Sequence, residues 1–323
     1  MRLPFLAALA LMASPAVADF PETVQRHILP GYQALAERTA TLAATAAKTC
    51  DAAALQPEYH AAYDAWMGVQ HLRFGPVETD GRGLAILFWP DPKGSGAKAQ
   101  RALLTGDPAR LSPENFAEQS VAARGLLSLE RLLYPAGALP ADPCPLIRAT
   151  TADLAATAAA VLADWQGGFA QTLIAAGEAG NTAYLTSSEA RQVLFTQLAS
   201  GLEFLEDQRI GRPLGRFNAP TPDSAEARAS ARSLRNVLLS LQAMRGMVKT
   251  LTPAAPRTIA AFDHAIDLAR KLNDPAFAGV ADPAGWLKLE ILQQAVSATR
   301  DLVLSELAPE MDVGIGFNAA DGD

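Results

Sequence analysis

The chain has 323 residues, half of them hydrophobic, with 27 Lys and Arg against 34 Asp and Glu, a net charge of −7. That length and apolar content suffice for a large core and for two domains. The net negative charge argues against nucleic acid as a partner, because phosphate recognition wants a basic surface.

The N-terminus opens Met1-Arg2, continues as an apolar run from Leu3 to Ala13 and closes on Ser14-Pro15-Ala16-Val17-Ala18. A charged start, a short apolar core and a small-residue A-x-A ending are the parts of a secretory signal peptide. Residues 1–18 are read as that signal, with cleavage near Ala18/Asp19 and export to an oxidising compartment outside the cytoplasm. The apolar run is shorter than the roughly 20 residues a bilayer span needs, and no later stretch reads as a span. The mature protein is therefore expected not to cross the membrane. Cys50 and Cys144 are the two cysteines. In an exported protein such a pair favours a disulfide, the alternative being two buried thiols.

Along the mature chain, apolar residues recur at helical spacing. Leu194, Leu198, Leu202 and Leu205 form one stripe, and Leu289, Leu292, Val296, Thr299 and Val303 another. This 3.6-residue period marks helices with one buried face. Helix starts show in the capping boxes Thr186-Ser187-Ser188-Glu189 and Asp223-Ser224-Ala225-Glu226. They show again where a capping residue precedes proline, at Ser112-Pro113, Asp142-Pro143 and Asp282-Pro283. The reading is all-α. Its helices fall near 20–49 (broken at Pro30), 57–74, 113–134, 142–177, 186–209, 223–251, 256–273 and 285–308. Short connections favour antiparallel neighbours. The expected architecture is two antiparallel four-helix bundles, residues 19–180 and 181–323, the second ending in a Gly/Asp-rich tail. A long irregular loop, 75–96, interrupts the first. Loops of that length in compact domains are often functional; the plainer alternative is an excursion that packs Phe88 and Trp89.

Neither H-E-x-x-H, nor a phosphate-binding glycine loop, nor G-x-S-x-G occurs. On the 57–74 helix, His60, Asp64, Met67 and His71 share a face. They are transition-metal ligand types, but His60 and His71 stand three turns apart, about 16 Å, and cannot hold one ion together. Arg73 lies on the flank of Trp66 and Gln70, where a guanidinium can hold a carboxylate or other anion, or sit as a plain surface arginine. Glu130 lies among Leu126, Leu129 and Leu133. A buried carboxylate must pair, bind a cation or become neutral; an arginine such as Arg73 is one candidate partner. In the second half, Glu203, Glu206 and Asp207 cluster at a helix end, against the helix dipole.

Several stretches together resemble the imelysin-like family, also called M75 peptidases and related to iron-uptake proteins. They are W…QHLRFGP at 66–76, FWPD at 88–91, SVAARGLLSLERLL at 120–133, DQRIGRPLG at 207–215, ARSLRNV at 231–237 and MDVGIGFNAADGD at 311–323. The resemblance implies a two-bundle helical fold with a site between the bundles and a periplasmic role in iron acquisition. The family's G-x-H-x-x-E appears as Gly125-Leu126-Leu127-Ser128-Leu129-Glu130, with Leu127 in the histidine's place. The expected function is a non-catalytic binding component for iron, an iron chelate or haem, with an inner-membrane or periplasmic transport partner. A metallopeptidase and an envelope scaffold with a degenerate site are the alternatives. The expected ligand-binding residues are Trp66, Arg73, Glu130, Asp207, Arg235 and Asn318, with Glu130 and His71 as metal ligands and iron as the candidate cofactor.

Overall fold

The computed structural model describes residues 20–252 and 254–314. The signal segment and Asn318 lie outside the described residues. Among these the chain is helical, with no strand beyond an isolated bridge between Arg216 and Ala219.

The longest helices are α1 (Leu29–Lys48), α2 (Ala52–Val69), α3 (Ser95–Leu104), α4 (Gly125–Leu133) and α5 (Cys144–Asp164). Then come α6 (Ser187–Phe204), α7 (Ser233–Leu251), α8 (Pro256–Leu272) and α9 (Pro283–Leu302). α1 packs on α2 and α5, and α4 packs on the same two. α8 packs on α7 and α9, and α6 on α7 and α9. α7 also lies against α2, so one apolar core runs from Tyr32, Tyr63 and Met67 through Met244 to Leu292. Both apolar stripes face inward: each of Leu194, Leu198, Leu202, Leu205, Leu289, Leu292, Val296 and Val303 is buried.

The predicted caps at Thr186, Asp282 and Ser112 all accept a backbone N–H from their own first turn. No helix break occurs at Pro30. The π-turn Val24–Ile28 leads directly into α1, so the chain stays helical through the proline. A widened turn accommodates a ring that would otherwise meet the carbonyl four residues back. α2 starts five residues before the expected position because the Asp51 carboxylate accepts from Ala54 N and caps it there. Similar π-turns, Trp165–Phe169, Leu205–Gly211 and Val303–Leu307, follow α5, α6 and α9.

Two predicted helices are corrected. The 113–134 helix is three pieces, Pro113–Ala117, Val121–Ala123 and α4. Gly125 has φ +70°, and a Cβ there would lie 2.3 Å from the carbonyl oxygens of Ala85 and Ile86. The chain turns sharply at that glycine, which forbids one straight helix. The 223–251 helix starts only at Ser233. Ala227 and Ala231 take left-handed φ values of 49° and 53°, and Glu226 is turned into the interior. The 75–96 segment is also less irregular than expected. It holds the turns Gly75–Val77 and Thr79–Gly81 and a short helix, Arg82–Ile86. Asp91 accepts from Ser95 N and Gly96 N to start α3.

Cys50 and Cys144 form a disulfide with Cα atoms 5.4 Å apart, joining the α1–α2 corner to the first turn of α5. The expectation that no later stretch could span a bilayer is qualified by α5 and its continuation. Cys144–Ile174 is 31 residues long and contains an 18-residue window of mean hydropathy 1.4, sufficient by length and composition. One face of it packs into the core: Leu146, Ile147, Leu154, Ala158, Val161 and Trp165 are buried. Trp165 stacks on Tyr32 at 5.7 Å and meets Phe74 and Phe169 edge-on.

Candidate functional site

Where α2 meets α7, the interface is polar and buried. Glu226 accepts from Arg209 Nε at 2.6 Å and Arg209 Nη2 at 3.3 Å. It also accepts from Tyr63 Oη at 3.2 Å and Asn236 Nδ2 at 3.1 Å. Both members of this ion pair are 1% exposed. Buried charge is tolerated only with such saturation. Arg209 comes from the Leu205–Gly211 π-turn, which places its guanidinium 5.0 Å from the Phe204 ring centroid.

A second cluster stands on the same face of α2. The buried Arg232 guanidinium donates to Asp64 and to His60 Nδ1 and lies 4.6 Å over the Tyr63 ring. Because His60 Nδ1 accepts from that cation, the imidazole is neutral and its Nε2–H faces Tyr134 Oη at 2.8 Å. Burial and the Arg232 charge hold the His60 pKa below its ordinary value. Asp64 also accepts from Arg235, which is exposed. Burial would raise the Asp64 carboxyl, but hydrogen bonds from Arg235 and Arg232 outweigh it and lower the pKa.

Glu130 on α4 is buried, and among the described residues no arginine forms an ion pair with it. One carboxylate oxygen accepts from Ser230 N at 2.8 Å and Ser230 Oγ at 2.6 Å. Burial raises its pKa, and the Ser230 bonds moderate the rise. Leu127, one turn earlier, is buried in the core. Trp66 is buried too, its indole N–H without an acceptor among the described residues.

Beside this seam opens a pocket of about 410 Å³ between the end of α2 and α6. Gln70, His71 and Arg73 line one side; Gln197, Ser200, Glu203, Phe204 and Asp207 line the other. Gln197 Oε1 accepts from Arg73 N at 2.7 Å and ties the two walls together. The Arg73 guanidinium rests 4.5 Å over the Phe204 ring. Desolvation there and the nearby Arg209 charge lower its pKa, and an arginine so placed stays protonated. Trp89, from the 75–96 segment, meets the other edge of Phe204 at 5.9 Å.

His71 is almost fully buried, with Nε2 3.2 Å from His27 Nε2. One imidazole donates and the other accepts, so the acceptor is neutral, and burial disfavours the charged form of both. Burial lowers His27 to about 4 and drives His71 well down, the latter helped by His27 and Arg209. A histidine depressed on folding stabilises the fold above its unfolded pKa of about 6.5, and that contribution is lost as pH falls toward 4. The urea midpoint of wild type should therefore drop more steeply between pH 6.5 and 4 than that of a His27→Gln, His71→Gln double variant. Parallel pH profiles for the two proteins would refute this.

The structure thus places Arg73, His71 and Asp207 on one pocket. Glu130, Arg235 and Trp66 lie elsewhere along the seam, each with its own surroundings. His60 and His71 stand in separate clusters, as their spacing requires. Glu130 hydrogen-bonds Ser230 whereas His71 faces His27, and no three His, Cys, Asp or Glu side chains gather as a metal-ligand set among the described residues. Sequence reasoning missed Arg209, Glu226, Arg232 and Ser230. Arg209 and Arg232 sit inside DQRIGRPLG and ARSLRNV, from which only Asp207 and Arg235 were selected.

These features describe an all-helical protein with a saturated buried seam and a pocket at its edge. The chain belongs to the imelysin family (Peptidase M75), whose sequence profile matches residues 28–303. Its fold is similar to that of an imelysin-like protein from Psychrobacter arcticum 273-4, with TM-score 0.76 and 18% identity over 95% of this chain and all of the other. A putative iron-regulated protein A precursor from Parabacteroides distasonis ATCC 8503 is also similar, with TM-score 0.65 and 15% identity over 91% and 97% of the two chains. Comparison with curated proteins gives no match.

Proposed function

We propose that this protein is a non-catalytic binding component of a periplasmic iron-acquisition system. Its ligand would enter the pocket between α2 and α6, where residues of the 19–180 half face those of the 181–323 half. The observation that carries the reading is the meeting of Arg73 and His71 with Asp207 in one cavity of about 410 Å³, within the size range of small-molecule sites. The name of the Parabacteroides relative supports the link to iron. The reading takes residues 1–18 as a cleaved export signal and treats α5 as a core helix, not an anchor. An inner-membrane or periplasmic transport protein would receive the ligand.

Peptide hydrolysis finds less support. Glu130, the retained acid of the family motif, is held by Ser230, and Leu127 can neither bind metal nor move a proton. Calorimetric titration with ferrous and ferric iron, haem and ferric chelates tests the proposal; binding to none of them sinks it. Metal-dependent cleavage of a peptide library, lost on Glu130→Gln, would overturn its non-catalytic part.

A further inference from the structure

A second cavity, of about 660 Å³, lies between α3, the last turn of α4 and the 135–140 segment. It shares no lining residue with the pocket between α2 and α6, and its volume is in the range of small-molecule sites. Leu104, Pro135, Leu139 and Pro140 give it an apolar surface, and three cations, Lys98, Arg101 and Arg131, stand among them. None of its lining residues is acidic, although the chain carries a net charge of −7. A cleft lined by one sign of charge against low-dielectric walls concentrates the opposite charge.

Its polar end is held in place from behind. Gln100 is 4% exposed, and its Nε2 donates to Ser128 O at 2.6 Å and Ser128 Oγ at 2.9 Å. That turns Gln100 Oε1 toward Arg131 Nε at 3.1 Å, while Arg131 Nη2 donates to Ala122 O at 3.2 Å. The guanidinium is thereby fixed, with Nη1 left without an acceptor among the described residues. Gly96 makes room for it, since a Cβ there would lie 2.9 Å from Arg131 Nη2. The acids whose charge reaches Arg131 are engaged elsewhere, Asp91 by Ser95 N and Gly96 N, Glu130 by Ser230. Tyr134, three residues on, lines the same cavity. Its Oη accepts the Nε2–H of His60, whose tautomer is set by Arg232 on Nδ1. The Tyr134 hydrogen is therefore not used by His60 and can go to a ligand. A guanidinium edge and a phenol O–H match the two oxygens of a carboxylate. Lys98 and Arg101 are exposed and add attraction at longer range. The polar end is small and the rest of the lining is largely apolar, so the matching ligand is one carboxylate on a hydrocarbon body.

We infer that this second cavity binds a medium-chain monocarboxylate, its head on Arg131 and Tyr134 and its hydrocarbon body along Leu104, Leu139 and the two prolines. The site is separate from the pocket of the proposed function and does not rest on the iron reading.

The test is calorimetric titration of the purified protein with decanoate, decanol and butyrate. Wild type is compared with Tyr134→Phe, with a Lys98→Gln, Arg101→Gln double variant and with Arg73→Ala. Tyr134 is only half-buried and Lys98 and Arg101 are exposed, and circular dichroism checks that each variant folds. Decanoate is expected to bind wild type and to bind Tyr134→Phe roughly 10-fold more weakly, the scale of losing one charge-assisted hydrogen bond. Decanol, which lacks the charge, and butyrate, which lacks the chain, should each bind wild type at least about 10-fold more weakly than decanoate. The double variant should weaken decanoate binding and flatten its salt dependence. Arg73→Ala, in the other pocket, should leave decanoate affinity at the wild-type value. Absence of decanoate binding overturns the inference, as does decanol bound as tightly as decanoate, because adsorption to an apolar surface needs no head group. Decanoate binding that Arg73→Ala removes and Tyr134→Phe spares puts the ligand in the other pocket and also overturns it.

Discussion

Replacing Glu226 by alanine is expected to destabilise the fold by about 3–5 kcal/mol, the range for removing one partner of a buried ion pair. The reason lies in what stays behind. Arg209 is 1% exposed and would keep its charge with no carboxylate to meet it. Tyr63 Oη and Asn236 Nδ2 would lose the same acceptor, each within the interior. The Asp64–Arg235 pair offers an internal contrast. Arg235 is 56% exposed, so Arg235→Ala should cost less than about 1 kcal/mol, as exposed pairs do. Urea unfolding of the two variants measures both. A Glu226→Ala midpoint close to that of Arg235→Ala would show that the seam is not what holds α2 against α7. A Glu226→Leu, Arg209→Met double variant should recover much of the loss, because an apolar replacement leaves no orphaned charge. Stability recovered without the seam would separate its contribution to folding from any part it plays beside the pocket.

The difference between what was legible in the sequence and what was not follows from the range of the forces involved. The stripes at Leu194–Leu205 and Leu289–Val303 needed only the helical period, and the structure buries them as that period requires. The caps at Ser112, Thr186 and Asp282 are also local, each set by hydrogen bonds within four residues. Glu226 marks where local reasoning fails. Three residues after Asp223 it completes a capping pattern, but a buried Arg209 on another helix competes for the same carboxylate and takes it. The price of that contact is visible in the left-handed backbone at Ala227 and Ala231. Gly125 is a similar case, since only the carbonyls of Ala85 and Ile86, forty residues away, explain why the chain must turn there. At the site, Arg73 stood out as a guanidinium beside Trp66 and Gln70, and Asp207 as an acid that opposes the dipole of its own helix end. His27 was not, because its partner His71 is brought to it by packing between α2 and the segment before α1.

Reducing the Cys50–Cys144 bridge should lower stability by about 4–5 kcal/mol at most, the chain-entropy value for a loop approaching 100 residues. That would appear as a fall in Tm on the order of 10 °C. The bridge closes a loop containing α1's partner α2, the 75–104 region and α4, so its removal frees the unfolded chain over nearly a third of its length. In the folded protein the two cysteines are already neighbours, because α1 and α2 and the start of α5 pack together without it. The stabilisation should therefore come from the unfolded state, and a Cys50→Ser, Cys144→Ser variant should keep its helical circular dichroism at 25 °C while unfolding at lower temperature and lower urea. Its affinity for a ferric ligand of the α2–α6 pocket should match wild type, since that pocket lies at the other end of α2 from Cys50. An unchanged Tm would mean the native bridge carries enough strain to cancel its entropic gain. Loss of ligand binding with helicity retained would mean instead that the α1–α2 corner controls how α2 presents Arg73.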